Sequence, residues 1–69
     1  MGIKNLRMER NWSQAELAKK AGLSQSYIHD LETGTKTPTI RTLEKLAKAL
    51  QVPIDELIDK FSGNESENR

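Results

Sequence analysis

The chain has 69 residues, no cysteine and a formal net charge of +1, and 35% of its residues are hydrophobic. This length allows one small domain with a thin core, and without cysteine neither a disulfide nor a thiolate-bound metal can stabilise it. The single His and the scattered carboxylates lack metal-ligand spacing, so we assign no metal and no cofactor. There is no apolar run of membrane-spanning length and no signal-peptide pattern, so we expect a cytoplasmic protein that does not contact membranes.

The charge is unevenly distributed. Through Leu50 there are nine Lys and Arg against five Asp and Glu, an excess of +4, whereas from Gln51 onward there are two against five, an excess of −3. A basic first part suits contact with phosphates. An excess of this size is equally typical of ordinary solvated surface charge.

The first segment, residues 2–10, is predicted to be a helix because it contains good helix formers with apolar residues on one side. Asn11 follows and tolerates the left-handed conformation that a helix end requires. Ser13 and Glu16 then have the spacing of a capping box. Trp12 precedes a Leu by five positions, the spacing of a hydrophobic staple; the alternative is that its ring stacks on a partner or on nucleic acid.

The next stretch, residues 13–34, is predicted to form two short helices joined by a tight turn. Gly22 lies where the first of them must end with a positive φ, which favours glycine. Leu23 then enters the interior, and Ser24 caps the second helix. The apolar stripes of the two helices comprise Leu17, Ala18, Ala21, Ile28 and Leu31. This succession of a small-residue helix, a glycine and a polar helix with an apolar back is the helix-turn-helix pattern.

Gly34 ends the second of these helices, and Thr39 caps a further helix over residues 40–50. Gln51 stands at the end of that helix, where a left-handed conformation would cost some stability, although Gln can adopt it. The predicted apolar stripe comprises Ile40, Leu43, Leu46, Ala47 and Leu50.

Pro53 suits the first turn of a fifth short helix. Residues 62–69 contain no apolar residue and are expected to form a disordered tail, so the domain is predicted over residues 1–61. The apolar residues of the C-terminal part either form a dimer interface or only close the core: Val52, Ile54, Leu57, Ile58 and Phe61.

These patterns resemble the phage repressor and Cro family, also called the xenobiotic-response-element family of bacterial regulators. The resemblance covers roughly residues 3–61. It is carried by Ser13-Gln14, Glu16-Leu17-Ala18, Ala21 to Ser26, Ile28, Leu31-Glu32-x-Gly34, Pro38, Thr42-Leu43, Leu46-Ala47-x-Ala49-Leu50, Val52 and Glu56-Leu57. The resemblance implies an all-α fold, a compact five-helix bundle like the lambda-repressor DNA-binding domain, with the helix at about residues 24–33 in the major groove of DNA.

Four outward residues of that helix are candidates for contacting bases. Gln25 can pair bidentately with adenine, and Ser26 can donate to or accept from several bases. Asp30 can accept from cytosine N4, while its charge repels phosphate and so excludes other sequences. His29 either touches a base or phosphate or is merely exposed.

The candidates for contacting the DNA backbone frame the same helix and comprise Gln14, Ser24, Tyr27, Lys36, Thr37 and Thr39. The resemblance implies that Gln14 contacts a phosphate and braces Gln25. The alternatives are that Gln14 is a solvated first-turn residue and that Lys36 is an ordinary loop charge. The resemblance also implies a structural ion pair between Arg7 and Glu32, the alternative being a solvent-facing Arg.

The sequence therefore predicts a transcriptional regulator, most simply a repressor, that binds double-stranded DNA at specific sequences. Family members bind palindromic operators as homodimers, so we expect the same here. The rival hypothesis is a protein-interaction module, such as an antitoxin that neutralises a toxin-like protein, with DNA binding secondary. No catalytic constellation or phosphate-binding glycine loop occurs, so we do not expect an enzyme.

Overall fold

A computed structural model of the chain describes residues 2–57. Its helices are α1 (Gly2–Glu9), α2 (Gln14–Ala21), α3 (Gln25–Thr33) and α4 (Ile40–Leu50). Residues 54–57 are also helical, as a fifth segment, and no strand occurs within the described range. The predicted all-helical class is confirmed. The expectations for Ile58, Phe61 and the tail at 62–69 concern residues outside the described range.

Side-chain caps start α2, α3 and α4 where the sequence predicts them. Ser13 accepts a hydrogen bond from the Glu16 amide, and the Glu16 carboxylate accepts one from the Ser13 amide, which completes the capping box. Ser24 and Thr39 each accept from the amide three residues further on. These caps satisfy amide groups that have no partner within the helix, so the starts of three helices are determined locally.

The turn between α2 and α3 sets the position of the second helix. Gly22 ends α2 in the left-handed region, with φ 71°. The Leu23 amide donates to the Ala18 carbonyl at 2.8 Å, and the half-buried Leu23 side chain packs against the core. The chain thus reverses tightly, and α3 packs on α2 with its opposite face free.

The apolar faces of the helices meet in one core. The buried apolar residues are Ile3, Leu17, Ala18, Ala21, Ile28, Leu31, Leu43, Leu46, Ala47, Leu50 and Leu57. Ile40 was predicted to lie on the buried stripe of α4, but 59% of its surface is exposed. It is the first residue of α4, and the buried side of that helix begins at Thr42 and Leu43.

The end of α1 differs from the prediction by one residue. The helix ends at Glu9, and Asn11 takes a φ of 60°. Arg10 therefore lies in the turn, from which its guanidinium donates to the Leu50 carbonyl at 2.7 Å. A cation at a helix C-terminus satisfies an unpaired carbonyl and interacts favourably with the helix dipole. Arg10 thus ties the first turn of the chain to the end of α4.

Gln51 adopts the left-handed conformation at the end of α4, with φ 60° and ψ 47°. Since L side chains are strained in this region, Gln51→Gly is expected to raise the free energy of unfolding by about 0.5–1 kcal/mol. Asn11→Gly is the matched control: Asn11 has the same φ, but Asn tolerates it better, so its gain should be smaller. Urea unfolding measures both. A destabilised Gln51→Gly domain would contradict the assigned backbone conformation.

Candidate nucleic-acid interface

The N-terminal half of α3 presents a polar surface. Ile28 and Leu31 are buried on one side of the helix, which leaves Gln25, Ser26 and His29 exposed on the other. Helical periodicity and the Ser24 cap together produce this arrangement, because they fix where the helix starts and which face it buries. Short polar side chains at the exposed start of such a helix can reach base edges in a major groove.

Gln14 lies beside this surface. It lines a shallow depression of about 300 Å³ together with Gln25, Ser26, His29 and Asp30. The structure thus brings together the four base-contacting candidates and one of the backbone candidates. Gln14 is half-buried, and its Nε2 donates to Glu32 Oε1 at 2.9 Å, a bond that the sequence did not reveal.

Arg7 and Glu32 lie in contact behind this surface. Arg7 Nε donates to Glu32 Oε2 at 2.7 Å, and a second guanidinium nitrogen donates to Oε1 at 3.0 Å. The third nitrogen donates to the Trp12 carbonyl at 2.8 Å. Only 11% of the Arg7 side chain and 3% of the Glu32 side chain are exposed. The two bonds form a bidentate contact between the guanidinium and the carboxylate and join α1 to the end of α3.

The pKa values of both groups reflect this contact. The hydrogen bond to Glu32 raises the pKa of Arg7, against the opposing effect of burial. Burial by itself would raise the pKa of Glu32, but the hydrogen bonds from Arg7 and Gln14, with the charges of Arg7 and Lys4, lower it overall. Glu32 is therefore ionised at neutral pH.

Lys36 folds back over α3 and is not a solitary loop charge. The Asp30 carbonyl accepts the amides of Thr35 and Lys36, at 2.9 and 3.2 Å. The Lys36 ammonium lies 3.6 Å from the Asp30 carboxylate and 5.9 Å from the centre of the Tyr27 ring. The Asp30 carboxylate is also 3.8 Å from His29 Nδ1. Asp30 therefore lies close to both His29 and Lys36, which are two of the candidates for DNA contact.

The hydroxyl groups proposed for the backbone contact differ in their surroundings. The Tyr27 hydroxyl lies 3.4 Å from Thr42 Oγ1, so this half-buried side chain bridges α3 and α4. Thr39 Oγ1 donates to the same Thr42 atom at 3.1 Å. Ser24 and Thr37 are exposed. Tyr27 and Thr39 thus have partners within the fold. The Tyr27 contact could not be predicted from sequence patterns, because Thr42 belongs to another helix, whereas Thr39 contacts Thr42 within the helix that it caps.

The Trp12 ring packs against the core and is covered by cations. The Lys20 ammonium lies 4.8 Å from the ring centre and the Arg10 guanidinium carbon 5.9 Å from it. These distances are typical of cation–π contacts. Trp12 is half-buried, in agreement with the packing role rather than with the alternative of stacking on a partner.

Within residues 2–57, no group of His, Cys, Asp and Glu side chains is arranged to hold a metal ion. None of the helices described there is both long enough and apolar enough to cross a membrane.

Comparison with known proteins places this geometry in a family. The helix-turn-helix family model matches residues 3–57. The chain is similar to the immunity repressor protein of Bacillus phage phi105, with 41% identity over 81% of this chain and 39% of that protein. It is also similar to the transcriptional repressor RstR of the cryptic phage CTXphi in Vibrio cholerae, with 40% identity over 90% of this chain and 56% of the relative. The chain is also similar to the transcriptional regulator SinR of Bacillus subtilis, with 41% identity over 84% of this chain and 53% of that protein.

The chain thus spans about two fifths to somewhat over half of the length of these relatives. Their names describe repressors and regulators, and none of the three mentions a toxin or an antitoxin. No solved structure matches the chain. The match of the family model over residues 3–57, which include the whole helix-turn-helix and the helices packed on it, shows that the chain belongs to the helix-turn-helix family of phage-repressor-like DNA-binding regulators.

Proposed function

We propose that the chain binds double-stranded DNA at specific sequences and acts as a transcriptional repressor, with α3 in the major groove. The observation that carries the proposal is the exposed polar start of α3, held by buried Ile28 and Leu31 and flanked by Gln14 and Lys36. In this docking mode the N-terminal residues of the second helix lie nearest the bases. The proposal also places the chain in the cytoplasm, where bacterial DNA lies, and includes no catalytic role.

The base-contacting set of the proposal comprises Gln25, Ser26, His29 and Asp30, and the backbone-contacting set comprises Gln14, Ser24, Tyr27, Lys36, Thr37 and Thr39. One copy of α3 reaches only a few base pairs, so we further propose that the protein binds as a homodimer on a palindrome. Half-sites one helical turn apart, about 10 base pairs, would let two copies lie on one side of the duplex.

Selection of bound fragments from a pool of random duplexes, at a stated salt concentration, tests the proposal. Because salt strongly affects all phosphate contacts, the selection belongs at about 150 mM monovalent salt, where non-specific binding is weak. Enrichment of a two-fold symmetric sequence is expected. Recovery of unenriched sequences after repeated rounds would contradict sequence-specific binding, and enrichment of a single half-site would contradict the homodimer.

Gln25 should read a base. Its exposed amide can donate to adenine N7 and accept from N6, and it is the first residue of α3. Gln25→Ala is therefore expected to weaken binding to the selected site by about 1–3 kcal/mol and to relax preference at one base position per half-site. Fluorescence anisotropy with the selected duplex and with singly substituted duplexes measures both effects. If Gln25→Ala weakened binding to all duplexes equally, Gln25 would instead contact the DNA backbone.

Lys36 should contact a phosphate after leaving Asp30, from which its ammonium is 3.6 Å away. Lys36→Ala is expected to weaken specific and non-specific DNA alike and to reduce the salt slope by about one charge per monomer. Asp30→Asn is the matched variant with the opposite expected effect. It removes the carboxylate that competes with phosphate for the Lys36 ammonium, so binding to non-specific DNA should strengthen. A salt titration of binding measures both, and an unchanged slope in Lys36→Ala would contradict the phosphate contact.

A further inference from the structure

Glu32 combines three features that a purely structural ion pair does not need. It belongs to α3, its side chain is 3% exposed, and its two oxygens accept three hydrogen bonds. Two of these bonds come from Arg7, and the third comes from Gln14 Nε2 at 2.9 Å. The same carboxylate therefore binds Arg7 of α1 and also Gln14, which lines the depression at the start of α3.

An ionised carboxylate can accept hydrogen bonds but cannot donate them. The Gln14 atom that contacts Glu32 must therefore be the amide nitrogen, and the reverse orientation would place two acceptors against each other. This chemistry decides which end of the Gln14 amide faces Glu32. The other end, Oε1, remains available as an acceptor, and Gln14 lines the depression together with Gln25.

We propose that Glu32 is a positioning residue for base recognition: its buried carboxylate holds the Gln14 amide in one orientation, so that Gln14 presents an acceptor to the recognition surface of α3. This inference rests on the proposed function. An acceptor beside Gln25 favours the orientation in which the Gln25 nitrogen points to Gln14. That nitrogen carries two protons, so it can donate to Gln14 and to adenine N7 while its oxygen accepts from adenine N6.

Guanine presents acceptors at both N7 and O6, so the same Gln25 orientation would place its oxygen against O6. If the Gln14 amide were free to rotate, it could offer Gln25 either a donor or an acceptor. The preference for adenine over guanine would then be lost. Glu32 would thus determine base preference without touching DNA. Arg7 donates to the same carboxylate and is not itself part of the depression that Gln14 lines, so it serves as the control.

The first experiment uses the free protein and does not depend on DNA binding. The side-chain amide of Gln14 is observed by nuclear magnetic resonance in the wild type and in Glu32→Gln. Donation to a carboxylate should shift one Gln14 amide proton downfield of the exposed Gln25 amide and slow its exchange with water. In Glu32→Gln, both differences should decrease. A Gln14 amide that is unaffected by Glu32→Gln would overturn the proposal.

The second experiment measures preference for the selected base over guanine at the position identified with Gln25→Ala. Glu32→Gln is expected to reduce this preference roughly two- to tenfold, the range that one net hydrogen bond contributes. Arg7→Lys loses the bidentate contact but keeps a cation beside the carboxylate, so Glu32 stays ionised and facing Gln14, and the preference should stay within about twofold of the wild type. Equal losses of preference in both variants would show a merely structural role and overturn the proposal.

Both ion-pair variants are measured below their unfolding temperature, and Gln14→Leu covers the case in which either fails to fold. Gln14→Leu keeps the Arg7–Glu32 pair and removes the acceptor, so it should lower the same preference and show little further loss when combined with Gln25→Ala. Full additivity of the two changes would contradict the proposal. A wild-type domain without any base preference would overturn the proposed function, while the amide experiment would still decide whether Glu32 orients Gln14.

Discussion

Replacing Leu31 by Ala is expected to lower the free energy of unfolding by about 2–5 kcal/mol. Leu31 lies on the inner side of α3 and is 3% exposed. Removing three carbon atoms there loses apolar burial and leaves a cavity that the neighbouring helices fill only partly. Small domains have a total stability of only about 5–15 kcal/mol, so the variant could lose much of its folded population.

Thermal and urea unfolding, followed by circular dichroism, measure this loss. Ile40→Ala is the matched control, because Ile40 is a large apolar residue that is 59% exposed. Its effect should stay within about 0.5 kcal/mol. Equal effects of the two substitutions would mean that the packing of α3 and α4 differs from the structure described above. The same loss in Leu31→Ala should weaken DNA binding only in proportion to the unfolded fraction.

The second large effect concerns the Arg7–Glu32 pair. Arg7→Met leaves the Glu32 charge buried without its main partner and is expected to cost about 3–5 kcal/mol. Glu32→Gln leaves the Arg7 charge, which is 11% exposed and still bonded to the Trp12 carbonyl, so it should cost less. The double variant should be more stable than Arg7→Met, because no charge is then left unpaired. A double-mutant cycle without coupling energy would contradict the contact.

The lowered pKa of Glu32 adds a pH dependence to this pair. A carboxyl group whose pKa is lower in the folded state stabilises the fold fully above its unfolded value, about 4.3, and loses that contribution as pH falls through the folded value. The free energy of unfolding should therefore decrease below about pH 5, and less steeply in Glu32→Gln. The hydrogen bond to Glu32 raises the pKa of Arg7, so the stabilisation from its charge is lost only at strongly alkaline pH and does not vary near neutral pH.

Features that depend on neighbouring residues could be predicted from the sequence. The caps at Ser13, Ser24 and Thr39 depend on residues within one turn, and the structure has all three. The left-handed conformation of Asn11 could be predicted for the same reason. A helix end requires a particular local conformation, and the choice of side chain shows where it occurs.

Contacts between distant residues could not be predicted in this way. The Arg10 guanidinium donates to the Leu50 carbonyl, forty residues away, and no local pattern selects that partner. The Gln14–Glu32 bond depends on how α2 packs against α3. Ile40 fits the periodicity of α4 and is nevertheless exposed, because it is the first residue of the helix and the buried side begins at Thr42 and Leu43. Periodicity thus identifies the buried face of a helix but not how far its neighbours extend.

A nuclear magnetic resonance titration of the labelled protein with the selected duplex would locate the DNA-binding surface residue by residue. Recognition by α3 predicts that the largest amide shift changes fall at Gln25, Ser26 and His29, with further changes at Gln14 and Lys36. The matched reference is the surface around Trp12, Lys20 and Gln51, which lines a separate depression of about 390 Å³ and should change little. Largest changes at Trp12 and Lys20, with α3 unaffected, would contradict recognition of DNA by this helix.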